Sequence, residues 1–278
     1  MSFTEPEGAV TRQPNWVPAG TDLEKPNAAR MYDYYLGGSH NFEADRRTAR
    51  RAVELWPELP QIMRANRAFL RRAVQFLGEA GVTRFLDIGS GIPTFGPVHE
   101  IARAIHPESR VVYVDNDPVA VAHSRLLLHD DPAALTIEAD VRSVDDLLSR
   151  PEVEALLAEG QPVGVLLVAV LHFVQDADDP HKIVAALRDA LPPGSHLALS
   201  HASLEGRPDQ AGAHQDIYRR TPTPLTMRSM AVIESLFDGF ELVAPGVVYL
   251  PEWRPDDPAA VGPHPERMTG VAGVGRLP

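Results

Sequence analysis

Three aspartates stand where short apolar runs end. Asp87 interrupts the run at 85–88, Asp115 closes Arg110-Val-Val-Tyr-Val-Asp115, and Asp140 closes Leu135-Thr-Ile-Glu-Ala-Asp140. An ionised carboxylate at the end of a buried strand is costly unless something binds it. Directly after Asp87 come Gly89 and Gly91, which let the backbone turn sharply and leave no Cβ in the way of a ligand. Strand, acid and two glycines in succession open a nucleotide-type pocket at the carboxyl edge of a parallel sheet. A tight turn with no ligand is the competing account. The acids lie on different strands, about 4.8 Å apart. That spacing suits one elongated, hydrogen-bonding ligand better than a metal ion.

The loop after the glycines decides which nucleotide. A dinucleotide fingerprint runs G-x-G-x-x-G straight into a helix. Here Thr94 replaces the third glycine, and Pro93 and Gly96-Pro97 delay the helix to residues 97–105. A pyrophosphate needs that helix N-terminus close by, whereas S-adenosylmethionine carries no phosphate. Its shape assigns the acids. Asp87 is placed for the cationic amino group and Asp115 for the two vicinal ribose hydroxyls. Asp140 is placed for the adenine amino group, with the Val141 backbone against the ring.

The elements that must position these residues alternate. Strands at 84–88, 110–115, 135–140, 163–170 and 195–200, separated by helical stretches, spell a parallel sheet. A sixth strand is expected at 242–250 and an antiparallel seventh at 269–275. The fold class is therefore α/β: a Rossmann-like, seven-stranded, mostly parallel sheet with helices on both faces and an N-terminal helical extension. Residues 1–26, rich in Pro and Gly and carrying Trp16, read as a flexible arm. Residues 27–81 read as a helical cover, with a stripe of Ala28, Met31, Tyr32 and Tyr35 stopped by Gly37-Gly38, and further helices at 44–56 and 60–77. Residues 82–278 form the cofactor domain. The segment 202–224 reads as a loop able to close over the pocket mouth, and Thr226 as the cap of a helix reaching Phe237.

Composition narrows the function. The 278 residues carry a net charge of −12, which makes a poor general binder of nucleic acid. Residues 30–72 are the exception, with nine arginines against five acids; they read as solvated helix faces or as a guide for an anionic substrate. There is no cysteine, so disulfides, thiolate metal sites and cysteine nucleophiles are excluded. His196 and His201, five apart with no supporting ligand cluster, do not make a metal site. Met1 to Val10 lacks the basic and apolar regions of a signal peptide, and no apolar run reaches membrane-spanning length. A cytoplasmic protein with no membrane partner is the expectation.

Leu86-Asp-Ile-Gly-Ser-Gly91, Val114-Asp115, Ala139-Asp140 and Val170-Leu-His-Phe173 resemble the successive motifs of class I S-adenosylmethionine-dependent methyltransferases. More narrowly, Ala29-Arg-Met-Tyr-Asp-Tyr-Tyr-Leu-Gly-Gly38 with Asn41-Phe42, Gly91-Ile-Pro-Thr94, Val112-Tyr-Val-Asp-Asn-Asp-Pro118 and Leu167-Val-Ala-Val-Leu-His-Phe173 resemble one bacterial branch. That branch is the S-adenosyl methyltransferase family, once a domain of unknown function. The resemblance spans residues 26–278. It implies the fold and the cofactor, and it adds Ser90, Asn116 and Val170 to the cofactor wall; it does not supply the methyl acceptor. Tyr32, Tyr35 and Asn41 either fold over the cofactor or pack the N-terminal helix on the sheet.

Methyl transfer from a sulfonium is an in-line displacement that needs the acceptor atom about 3–3.5 Å from the methyl carbon. For a hydroxyl acceptor a base helps. His172, past the fourth strand, is either that base or a histidine bonded to the loop. A small-molecule acceptor is expected; the competing functions are a non-catalytic regulator that binds the cofactor and an RNA methyltransferase.

Overall fold

The computed structural model describes residues 17–278 apart from 19, 220 and 222. Most of the expected N-terminal arm, Trp16 included, lies outside the described residues; Val17, the first of them, is buried. Three helices lead in: α1 (Ala28–Tyr35), α2 (Glu43–Leu55) and α3 (Leu59–Glu79). Asn27 caps α1 through its side chain, which accepts from the Ala29 N–H. Then strands and helices alternate: β1 (Arg84–Ile88), α4 (Val98–Arg103), β2 (Arg110–Asp115), α5 (Pro118–Leu127) and β3 (Ala134–Glu138). They continue as α6 (Val144–Leu148), α7 (Pro151–Leu157), β4 (Gly164–Val168), α8 (Pro180–Ala190) and β5 (His196–Ala202).

These five strands are parallel in the order β3-β2-β1-β4-β5. The order reverses between β1 and β4, which opens a crevice at their carboxyl ends. Alternation along the strands decides what faces what. Phe85, Val111, Tyr113 and Leu166 pack with α3 residues Phe69, Ala73 and Leu77. Leu86, Ile88, Val112 and Val165 pack on the opposite face with Leu147, Val153, Ile183 and Leu187. Asp87, two residues from Phe85, shares its face and so points toward the N-terminal helices.

The second half departs from expectation in three places. Residues 202–224 are not an uninterrupted loop: they contain α9 (Pro208–Tyr218), opened by a proline in its first turn. The next helix, α10 (Met230–Ser235), is capped by Ser229, whose side chain accepts from the Val232 N–H, and not by Thr226. The expected sixth strand is two fragments, β6 (Glu241–Leu242) and β7 (Val248–Tyr249), both antiparallel to β8 (Gly270–Arg276). Pro245 lies between them and has no N–H to give the ladder. The sheet thus has eight strands, with β8 antiparallel to β5 as expected of the last strand. No described helix is long and apolar enough to cross a membrane.

Candidate functional site

One cavity lies at the carboxyl ends of β1–β5, and Asp87, Asp115 and Asp140 all line it. Asp115 ends β2 and is buried. Its Oδ2 accepts the Gly91 N–H at 2.7 Å and its Oδ1 accepts the Asp117 N–H at 2.9 Å. Burial raises its pKa, and the backbone donors oppose the rise. Each oxygen retains a lone pair, so the carboxylate is aimed and still able to accept a pair of hydroxyls.

Asp87 is different. It is 5% exposed and accepts no hydrogen bond from the described residues. Burial pushes its pKa up to about 7, with the Arg67 guanidinium pulling the other way. Ionising a buried carboxylate without donors is costly, and a cationic group beside it offsets that cost. Arg67, on α3, lines the same cavity. Its guanidinium donates to the carbonyls of Phe95 and Gly96, and no carboxylate among the described residues is in ion-pair range. Sequence reasoning missed it. The signal was present: Arg67 lies four residues after Met63 and three before Leu70, both cavity residues, so it sits on the inner stripe of α3.

Asp140 is two residues past the end of β3, not in it. Its carboxylate is already engaged by Arg142, with Nε at 2.9 Å from Oδ1 and the backbone N–H also at 2.9 Å, and by Asn116 Nδ2 at 3.2 Å. Burial acts upward on this acid, but those donors outweigh it and bring its pKa down to about 2. It is a permanently ionised acid that an adenine amino group would have to share with Arg142. Val141 and Asn116 line the cavity beside it.

The glycine turn is cramped as well as bent. Gly89 and Gly91 have φ of +71° and +62°, a region that disfavours side chains. A Cβ at position 89 would sit 2.5 Å from Val170 Cγ2. Ser90 lines the cavity between them, and Val170 faces the turn from beyond β4. Just before it, Ala169 holds φ +60° while its N–H donates to Ser200 Oγ at 2.9 Å. Gly89→Ala is expected to push Val170 into the cavity and weaken S-adenosylmethionine binding about tenfold or more. Calorimetry checks this; an unchanged affinity would mean that Val170 yields freely.

The helical cover closes over this turn. Ala28, Ala29, Tyr32 and Asp33 of α1 line the cavity. Tyr32 donates its hydroxyl to the Met63 carbonyl at 3.2 Å and accepts from Asn66 Nδ2 at 2.9 Å. The Tyr35 and Tyr218 hydroxyls are 3.1 Å apart in the buried interior. So both expected tyrosines face the cavity and also pack the cover. Asn41 does not line it. Its Nδ2 donates to Asp33 Oδ2 at 2.8 Å, buttressing an acid that does. Gly38 is needed there for space: a Cβ would lie 2.0 Å from Asp33 Oδ1. Arg30 ties α1 to the turn after β2, its Nε lying 3.7 Å from Asp117 Oδ2.

His172 lines the cavity, yet its Nδ1 accepts the Ala202 N–H at 3.3 Å. That contact is the one the loop-bonded alternative calls for. His201 also lines the cavity, with Nδ1 2.8 Å from the Ala202 carbonyl and Nε2 2.9 Å from Arg228 Nη1. Asn66, at four residues from Ile62 on the apolar stripe of α3, is a second residue the sequence reading passed over. Its Oδ1 accepts from Ser200 Oγ at 2.6 Å.

A buried acid without donors beside a glycine turn too tight for a Cβ, followed by an aimed carboxylate on the next strand, fits an amino-acid-bearing nucleoside. With the β3-β2-β1-β4-β5 order and an antiparallel β8 set between β5 and β6, this defines the Rossmann-like methyltransferase class. At 14% identity the N-methyltransferase NodS from Bradyrhizobium japonicum, solved with S-adenosylhomocysteine, shares that fold over 80% of this chain and 91% of its own, with a TM-score of 0.50. A model of the S-adenosyl methyltransferase family matches residues 14–278, and the chain belongs to that family. It is similar to a candidate methyltransferase from Thermobifida fusca at 42% identity, over 95% of this chain and 99% of that one, with a TM-score of 0.88. It is equally similar to a DUF574 family protein from Streptomyces avermitilis, at 42% identity over 92% and 99% with a TM-score of 0.87. None of the curated proteins matches the chain. The protein is an S-adenosylmethionine-dependent methyltransferase.

Proposed function

We propose that this enzyme transfers the methyl group to a small organic acceptor by in-line displacement. The observation that carries this reading is one cavity that Asp87, Asp115 and Asp140 share with a largely apolar and aromatic lining. When bound, S-adenosylmethionine supplies an electrophilic methyl carbon on a sulfonium. The chain's own residues bind and orient. Asp87 takes the ammonium, Asp115 the ribose hydroxyls, and Asp140 with Val141 the adenine edge. Arg67, a guanidinium without an acid partner near Asp87, takes the carboxylate of the same amino-acid group. The Tyr32–Asn66–Ser200 chain of hydrogen bonds fixes part of that lining.

Mixing the protein with isotopically methyl-labelled S-adenosylmethionine and a small-metabolite extract tests the reading. Label moving to a small product with release of S-adenosylhomocysteine supports it. Tight cofactor binding with label moving only to RNA, or nowhere, would replace it with the RNA methyltransferase or the regulator. Arg67→Met gives a separate check. It is expected to weaken S-adenosylmethionine binding about tenfold or more and leave decarboxylated S-adenosylmethionine unaffected. Equal weakening of both would remove Arg67 from the carboxylate.

A further inference from the structure

We propose, on the strength of the methyltransferase reading of this same cavity, that the acceptor is an uncharged, ring-bearing small molecule held in the half of the cavity away from the carboxylates. The cavity is divided by charge. Its charged lining side chains among the described residues are Asp33, Arg67, Asp87, Asp115, Asp140 and Arg142. They belong to α1, α3, the carboxyl-terminal parts of β1 and β2, and the loop after β3. The other half is walled by Tyr35, Trp56, Leu59, Phe173, Tyr218 and Met227. Five of these six are buried, and Phe173 is half-buried with its ring 6.0 Å from that of Tyr218.

Two physical consequences select the acceptor. A carboxylate or phosphate moved into an apolar, desolvated space without a cationic partner loses its hydration and gains nothing. Flat rings gain most from such walls, through burial and through edge and offset contacts with aromatic neighbours. The wall carries two polar marks: the adjoining hydroxyls of Tyr35 and Tyr218, and the His172 ring, 4.4 Å from that of Phe173. Burial pushes the pKa of Tyr218 up to about 12 and that of Tyr35 well above its ordinary value. Both therefore act as neutral hydrogen-bonding groups, suited to a single hydroxyl, carbonyl or amino group on the ring.

The transfer balances without any further reagent. A lone pair on the acceptor forms the bond to the methyl carbon as the carbon–sulfur bond breaks and its electron pair returns to sulfur. The positive charge moves from sulfur to the acceptor, and any proton the attacking atom carried leaves to water. Aromatic faces favour that newly formed cation, so the walls that admit a neutral ring also suit its methylated product.

Calorimetry on the full-length protein, with and without saturating S-adenosylhomocysteine, tests this with two probes of one shape: 1-naphthylamine, uncharged at neutral pH, and 1-naphthoate. The amine is expected to bind at least tenfold tighter. Phe173→Ala is expected to weaken the amine several-fold to tenfold, and Phe173→Leu, which keeps bulk and loses the ring, to fall between; thermal melts confirm that both variants fold. Naphthoate binding as tightly as the amine overturns the proposal, as does an amine affinity indifferent to both Phe173 variants. Failure of S-adenosylhomocysteine to bind would instead sink the cofactor reading, and the probe comparison without it would still decide the acceptor class.

Discussion

Replacing Asp115 by alanine is expected to raise the dissociation constant for S-adenosylmethionine by about two orders of magnitude or more. Two charge-assisted hydrogen bonds to the ribose are lost, at roughly 1.5–3 kcal/mol each. The structure adds a second route to the same loss. The Asp115 carboxylate also holds the Gly91 and Asp117 N–H groups, so its removal loosens the turn on which the cofactor rests. A folded Asp115→Ala protein with undiminished affinity in the calorimeter would remove Asp115 from the ribose site.

Asp87→Asn is expected to make the free protein more stable and the cofactor complex weaker. Folding raises the Asp87 pKa from 3.8 to about 7 through burial, so the folded chain favours the protonated acid. Below pH 3.8 both states are protonated and the group costs nothing. Between pH 4 and 7 the cost grows, and above pH 7 it is full, of order 4 kcal/mol. Asparagine removes it: the variant should melt several degrees higher than the wild type at pH 8 and no higher near pH 4. Binding an ammonium demands the ionised form. Wild-type affinity should therefore fall as pH drops from 7 to 5, while the variant binds weakly throughout, roughly tenfold or more below the wild type at pH 8. A variant less stable than the wild type at pH 8, or a wild-type affinity flat from pH 5 to 7, would show that Asp87 is not the ammonium partner.

Much of the cofactor end was legible because it is local. An apolar run, an acid and a glycine pair occupy consecutive positions, so the ends of β1 and β2 and the positive-φ turn between Gly89 and Gly91 follow from types and spacing. What was hidden depends on residues far apart in the chain. Arg142 neutralises Asp140, and Ala202 commits Nδ1 of His172; neither pairing leaves a periodic trace. Helix α9 was missed because its run, Pro208-Asp-Gln-Ala-Gly-Ala-His-Gln-Asp-Ile-Tyr218, has few apolar residues and no regular stripe. Its place is fixed by tertiary contacts of Ala211 and Tyr218 in the core. The split of the sixth strand was within reach, since Pro245 and Gly246 sit inside the expected run. Asn41 was assigned to the right neighbourhood but one step too close: it steadies Asp33 instead of facing the cavity.

Most of the cavity's cofactor end and most of its aromatic wall come from different stretches of polypeptide. The strand-end acids and glycine turn are drawn from residues 87–142, while the aromatic wall is supplied by α1, by Trp56 and α3, and by segments after residue 172. Substitutions that reshape the aromatic wall therefore fall on positions that the strand-end grip does not use. On this plan one methyl acceptor can be exchanged for another by drift at the wall positions alone, while Asp33 and Arg67 of the same helices stay with the cofactor end.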